Sequence, residues 1–168
     1  MPTSPASLIL SLPDEEATLR LAKQLADCVC GKTEASGTPG GRIHLKGELG
    51  AGKTTLVRGL LRAAGVTGRI KSPTYTLLES YNISNLYFHH FDFYRFSDAH
   101  EWRDAGFAEL FDEHAIVLIE WPEQAGTRLP LPDLDIQLAY AGTGRTARLV
   151  ASSEKGQRWL TSLTPQRV

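Results

Sequence analysis

The segment Gly47-Glu48-Leu49-Gly50-Ala51-Gly52-Lys53-Thr54 constrains this chain more than any other. Glycine has no Cβ, so such a run can fold closely around an anion and aim its backbone N–H groups at it. Arg42-Ile43-His44-Leu45-Lys46 stands just before it and alternates as a strand does. Val57, Leu60, Leu61 and Ala64 follow on one helical face, and Gly65 ends the run. Strand, glycine loop, helix is the context a phosphate-binding loop requires. On this reading Glu48, Leu49, Gly50, Ala51 and Gly52 wrap a nucleoside triphosphate. The helix that follows adds its dipole and free N–H groups. Lys53 reaches the β- and γ-phosphates, the hydroxyl of Thr54 binds Mg²⁺, and Thr55 lies near the α-phosphate.

Such a site needs a carboxylate near the metal, at the end of a neighbouring strand. Ile116-Val117-Leu118-Ile119 is a short, wholly apolar run that suits a central parallel strand buried on both faces. Glu120 emerges from its C-terminal end, where open α/β sheets place their ligand sites. The second acid is Asp92, in His90-Phe91-Asp92-Phe93-Tyr94-Arg95, where strand alternation puts His90, Asp92 and Tyr94 on one face. Both carboxylates are expected to serve the metal and its waters, one as a direct ligand and the other toward the attacking water. The alternatives are an exposed strand-end acid for Glu120, and a partner of Arg95 or a backbone cap for Asp92. His90 reads as a hydrogen-bonding or packing residue rather than a ligand, because Mg²⁺ prefers oxygen. Ser72-Pro73-Thr74-Tyr75-Thr76 is either a loop that senses the γ-phosphate or an ordinary turn leading into a strand.

The rest of the chain reads as alternating elements. Ser11 to Glu16 is a helix start, with proline and acids in the first turn, and Leu21, Leu25, Cys28 and Val29 continue at helical spacing. Gly31 to Gly41 is a loop. Tyr75 to Tyr81 and Leu86 to Tyr94 read as strands joined by Asn82 to Asn85. Ser97 to Leu110 is expected to be a helix capped by Ser97, with Asp98 and Glu101 in its first turn. Leu134 to Tyr140 and Thr146 to Ala151 flank a turn at 141–145. A short helix follows Ser153.

A length of 168 residues fits one domain with a real hydrophobic core. We expect one domain over 1–168, its core from about 12 to 151. With 18 Lys and Arg against 19 Asp and Glu, the formal net charge of -1 gives no general attraction to nucleic acid or anionic membrane. Cys28 and Cys30 are too few for a disulfide framework or a zinc site, and read as small buried or half-buried thiols. No run of 18 apolar residues spans a membrane, and residues 1–12 carry no secretory signal, so the expected compartment is the cytoplasm.

In order, Gly47 to Thr55, Lys71-Ser72-Pro73-Thr74-Tyr75-Thr76-Leu77, His90 to Arg95, and Ile119-Glu120-Trp121-Pro122 form a specific series. The chain resembles the bacterial TsaE (YjeE) family of ATPases from about Leu12 to Ala151. That resemblance implies an α/β, P-loop NTPase-like fold with a central, mostly parallel sheet flanked by helices and a small antiparallel part. It implies ATP hydrolysis, weak alone, that serves threonylcarbamoyladenosine modification of tRNA in a complex with the TsaD and TsaB proteins. TsaD performs the transfer, so contact with tRNA is indirect. The family's phosphate loop falls on Glu48 to Thr55, its Mg²⁺ ligands on Thr54 and Glu120, and its essential aspartate on Asp92. Trp121 matches a tryptophan close to the nucleotide, and Arg145 a region near the adenine edge.

Two other functions compete. One is a small P-loop kinase for a nucleoside or metabolite, which needs a mobile lid carrying arginines near the phosphates. Arg58, Arg62, Arg69 and Lys71 are the cluster on offer, and a solvated face explains them equally well. The other is a binding module for which ATP is an assembly signal. A GTPase lacks support, since no Asn-Lys-x-Asp or Thr-Lys-x-Asp run is present. The aromatics of 87–94 suit strand packing better than base stacking. The stretch from Asp98 to Glu113, with Trp102 and Phe107, suits a docking surface or a surface helix.

Overall fold

The structure is a computed structural model and describes residues 6–96 and 106–163. In chain order the elements are β1 (Ser7–Leu12), α1 (Glu15–Val29), β2 (Gly41–Lys46), α2 (Lys53–Ala64), β3 (Leu78–Ile83), β4 (Leu86–Asp92), β5 (Ile116–Glu120), β6 (Leu134–Ala141), β7 (Gly144–Ala151) and α3 (Glu154–Leu163). Short 3₁₀ segments run over Phe107–Leu110 and Pro122–Arg128. All seven strands form one sheet in the order β1-β7-β6-β2-β5-β4-β3. Its centre, β6-β2-β5-β4, is parallel, and antiparallel pairs finish both sides. This is the mixed, P-loop NTPase-like α/β arrangement expected from the sequence.

Helical periodicity explains which face is covered. Leu21 and Leu25 of α1, Leu56 and Leu60 of α2, and Trp159 of α3 pack onto Ile43, Leu45, Leu118 and Ile136 of the sheet. On the opposite face Phe91, Phe93, Val117 and Ile119 gather with Phe96 and Ala125. Val117, Leu118 and Ile119 have no exposed surface, so β5 is buried on both faces as a central parallel strand must be. Cys28 is buried and Cys30 half-buried, and both are free thiols. Burial pushes the Cys28 thiol up to about 11, which leaves it inert. Among the described residues no helix is long and apolar enough to cross a membrane.

Several boundaries differ from the sequence expectation. Ser11 and Leu12 close edge strand β1 on β7 rather than starting α1, whose N-cap is Asp14, accepting from the Ala17 N–H at 2.8 Å. Strand β3 begins at Leu78, not Tyr75, because the Leu77 N–H bonds the Pro73 carbonyl at 2.7 Å and closes a turn there. Strand β4 ends at Asp92 rather than Tyr94. Its hairpin partner is reached through Ser84 and Asn85, whose φ values of 49° and 68° give the primed turn that matches strand twist. Phe107–Leu110 is 3₁₀ rather than α-helical and follows a left-handed Gly106, and residues 97–105 of the expected 97–110 helix, with Trp102, lie outside the described residues. The second hairpin turns on Gly142 and Thr143 alone.

His44 sits on β2, buried to 7% exposure, and its Nε2 has no hydrogen-bond partner. Burial drives its pKa down to about 4; Asp135 opposes that shift, while Lys46 and Arg42 add to it. The unfolded chain therefore takes up the proton first. Stability present above pH 6.5 falls as the pH drops toward 4, by on the order of 3 kcal/mol. Urea melts of wild type and His44→Gln between pH 7.5 and 4 should show this loss in wild type and a flatter profile in the variant. Parallel profiles would remove His44 as the cause.

Candidate functional site

Strand β2 delivers the chain into a tight loop whose glycines are required by geometry. Gly47, Gly50 and Gly52 have φ of 144°, 81° and 106°, values that side chains disfavour. A Cβ on Gly47 would lie 2.5 Å from the Leu138 carbonyl oxygen. Helix α2 then opens at Lys53 with no side-chain cap and no acid in its first turn. Its N-terminal N–H groups and positive dipole end thus face outward as an anion site.

Lys53 is 4% exposed, and desolvation lowers its pKa, against the pull of Glu120, Glu123 and Asp92. Its ammonium donates to the carbonyls of Gly47 and Glu48 at 2.5 and 3.0 Å. It also lies 4.2 Å from the centre of the Trp121 ring. Trp121 follows β5 directly and takes a left-handed φ of 58°, a conformation that costs energy for a bulky residue. That turn presents its ring to Lys53 and, 5.0 Å away, to the ring of Tyr94.

The two predicted acids stand side by side. Asp92 and Glu120 are register partners at the C-terminal ends of the parallel strands β4 and β5. The Thr54 hydroxyl donates to Glu120 Oε1 at 2.7 Å, and His90 Nε2 lies 2.6 Å from Glu120 Oε2. Glu120 is therefore no exposed strand-end acid: it is 2% exposed and bonded on both oxygens. Asp92 Oδ1 accepts from the Tyr94 N–H at 2.9 Å, and Oδ2 from the Thr74 hydroxyl at 3.3 Å. Burial raises the Asp92 pKa and the Glu120 charge adds to the rise, while the bonds from Tyr94 and Thr74 and the proximity of His90 oppose it. Arg95 is not its partner; that guanidinium stacks 4.3 Å from the Tyr75 ring. The Ser72-to-Thr76 segment thus reaches Asp92 through Thr74, whose hydroxyl is also 2.9 Å from that of Ser72.

Leu49, Gly50, Gly52, Lys53, Thr54 and Thr55 line one side of the cleft, and Thr74, Asp92, Tyr94, Glu120 and Trp121 the other. The donor set around Thr54 is all oxygen. Among the described residues no three or more His, Cys, Asp or Glu side chains form a metal cage. That combination fits a hard ion which takes one or two carboxylates and completes its shell with water and phosphate. Arg145 is elsewhere. It lines a neighbouring hollow with Asp14, Thr18, Thr55 and Thr143, and its guanidinium bonds loop carbonyls. Sequence reasoning missed Tyr140, whose hydroxyl donates to the Leu49 carbonyl at 2.9 Å. Only the register of β6 against β2 brings it there, and nothing local in the sequence signals that.

Removing the imidazole of His90 leaves Glu120 Oε2 buried without its partner, a loss of about 1–3 kcal/mol. Urea unfolding of His90→Ala at pH 7.5 should show it. Pairing that change with Glu120→Gln should recover part of the loss, and strictly additive effects would show that the bond carries no weight.

Comparison with known proteins supplies a second line of argument. A family model described as "Threonylcarbamoyl adenosine biosynthesis protein TsaE" matches residues 12–149. The tRNA threonylcarbamoyladenosine biosynthesis protein TsaE of Haemophilus influenzae is 37% identical over 158 residues, covering 94% of this chain and 98% of that one. The protein of the same name from Bacillus subtilis is 38% identical over 110 residues, covering 66% and 68%. The crystal structure of Bacillus subtilis YdiB superposes with a TM-score of 0.76 at 28% identity, covering 96% of this chain and 97% of that one. A match across nearly the whole sheet, including both acid-bearing strands, leaves one conclusion: this chain belongs to the TsaE family.

Proposed function

We propose that this protein binds ATP with Mg²⁺ at the Gly47–Thr54 loop and hydrolyses it slowly. In this reading it is the nucleotide-driven component of threonylcarbamoyladenosine formation in tRNA. The observation that carries the reading is the 2.7 Å bond between Thr54, at the start of α2, and the buried carboxylate of Glu120. A hydroxyl and a carboxylate in that relation, beside a glycine loop, are the parts a P-loop uses to hold a metal-bound triphosphate.

The backbone of Glu48 to Gly52 and the N-terminus of α2 take the phosphate oxygens. Lys53 exchanges its bonds to Gly47 and Glu48 for bonds to the β- and γ-phosphates. Thr54 and Glu120 would hold Mg²⁺, which would supply positive charge against that of the phosphates. Asp92, one strand away from Glu120, would orient the attacking water through its remaining acceptor capacity. Thr74, already bonded to Asp92, lets the 72–76 segment respond to the γ-phosphate. Trp121 shields the lysine from bulk water. Thr55 and Arg145 line the adjoining hollow, where the nucleoside end of the substrate fits.

The pathway assignment rests on the names borne by the relatives, each a tRNA threonylcarbamoyladenosine biosynthesis protein. We take TsaD and TsaB as its working partners, with tRNA met through them, in the cytoplasm where tRNA is. The formal net charge of -1 gives the chain little pull of its own on RNA.

Calorimetry with ATP and Mg²⁺ should show binding by wild type and none by Lys53→Ala. Asp92→Ala and Glu120→Ala should cut phosphate release at least about 100-fold, the scale of a lost group that acts in the transition state. Unchanged turnover in either variant removes that residue from the mechanism. Co-purification with TsaD and TsaB, with and without ATP, tests the pathway, and association in neither condition would refute it. A phosphorylated nucleoside among the products would favour a kinase instead.

A further inference from the structure

The outer side of the phosphate loop is held by two side chains that the mechanism above leaves unused in that role. Both come from the β6–β7 hairpin. Tyr140 Oη donates to the Leu49 carbonyl at 2.9 Å. Arg145 Nη2 donates to the Gly50 carbonyl at 3.3 Å, and its Nε donates to the Ala51 carbonyl at 3.2 Å. The guanidinium lies 4.2 Å from the centre of the Tyr140 ring, and Nη1 anchors on its own strand at the Gly144 carbonyl, 2.8 Å away. Three successive loop carbonyls thus point toward one stacked Tyr–Arg pair.

We propose that Tyr140 and Arg145 are positioning residues that set the peptide planes of the phosphate loop. The proposal rests on the nucleotide-binding reading of that loop. In a trans peptide the C=O and the following N–H point in opposite directions, and no cis bond is present among the described residues. Fixing the Leu49 carbonyl outward aims the Gly50 N–H inward. Fixing the Ala51 carbonyl aims the Gly52 N–H the same way. Both glycines line the cleft that holds Lys53, Thr54 and the two acids. The Ala51 N–H lies between them and is already spent on the Glu48 carbonyl at 3.0 Å. The strap therefore orients the two donors that remain free for phosphate oxygens.

The need for a strap follows from composition. Gly50 and Gly52 have positive φ and no side chains, so local sterics alone leave their peptides free to flip. A Cβ on Gly50 would fall 2.7 Å from Tyr140 Oη, so the same glycine that frees the loop also admits the hydroxyl that fixes it. The Arg145 guanidinium spends Nε, Nη1 and Nη2 on the backbone carbonyls of Ala51, Gly144 and Gly50, which assigns its contribution to loop shape rather than to reading a base.

The test uses the full chain with Mg²⁺, comparing wild type, Tyr140→Phe and Arg145→Gln. Tyr140 is half exposed and Phe keeps the ring under Arg145, so this variant folds; thermal melts without nucleotide check both. Dissociation constants are measured for ATP by calorimetry and for GTP by competition. Removing one oriented hydrogen bond should weaken ATP by about 3- to 10-fold in each variant. GTP should weaken by the same factor, because the strap acts on the phosphates and not on the base. Unchanged affinities in both variants overturn the proposal. So does a changed ATP-to-GTP ratio, which would make Arg145 a base contact. Failure of wild type itself to bind ATP would instead refute the nucleotide-binding reading.

Discussion

A buried carboxylate must be hydrogen-bonded or its burial is prohibitively costly, and Glu120 meets that condition in a way that organises the molecule. One of its oxygens takes the Thr54 hydroxyl and the other the His90 imidazole. Those partners sit on α2 and β4, so one side chain couples the phosphate loop's helix to two neighbouring strands. The coupling works only if β5 lies between β2 and β4 with all three parallel, because only then do their C-terminal ends meet at one edge. The wholly apolar run of 116–119 secures that position: strands buried on both faces have no stable place except the centre of a sheet.

Around this fixed point the chain accepts conformations that a purely stable protein would avoid. Trp121 is left-handed immediately after β5, and Leu77 is left-handed immediately before β3, at φ of 58° and 68°. Lys53 and Asp92 are both buried enough to shift toward their uncharged forms. All four lie at or next to one cleft. Strain and desolvation concentrated in one place signal function more strongly than any of them alone. Ser84 and Asn85 are left-handed too, but at the β3–β4 hairpin, where the primed turn itself requires it.

Much of this is legible in the sequence alone. The strand–loop–helix around Gly47–Thr54, the buried run ending in Glu120 and the pairing of His90 with Asp92 on one strand face all follow from local pattern. What escaped was set by long-range register or by turn chemistry. Edge strand β1 has a weak alternation, and only its pairing with β7 makes it a strand. The start of β3 was misread because Pro73 closes a turn through the Leu77 N–H, which delays the strand by a few residues. Tyr140 and Arg145 are distant from the loop in sequence, and a polar side chain that bonds backbone carbonyls leaves no motif. The family resemblance points to Arg145, and its bonds go to the loop.

The loop is therefore supported from two sides by unlike means. On the sheet side, Glu120, Thr54 and Lys53 supply the groups for which, in the proposed function, a phosphate or its metal would compete. On the hairpin side, Tyr140 and Arg145 hold the Leu49, Gly50 and Ala51 carbonyls from outside the cleft that Lys53, Thr54 and Glu120 line. The first set can exchange partners while the second stays in place. A glycine-rich segment held only by exchangeable bonds would lose its shape whenever those bonds moved, and one held only by fixed bonds could not release Lys53. Under the proposed function, division of the two roles between the α2–β5 side and the β6–β7 hairpin would let the loop change partners without changing form.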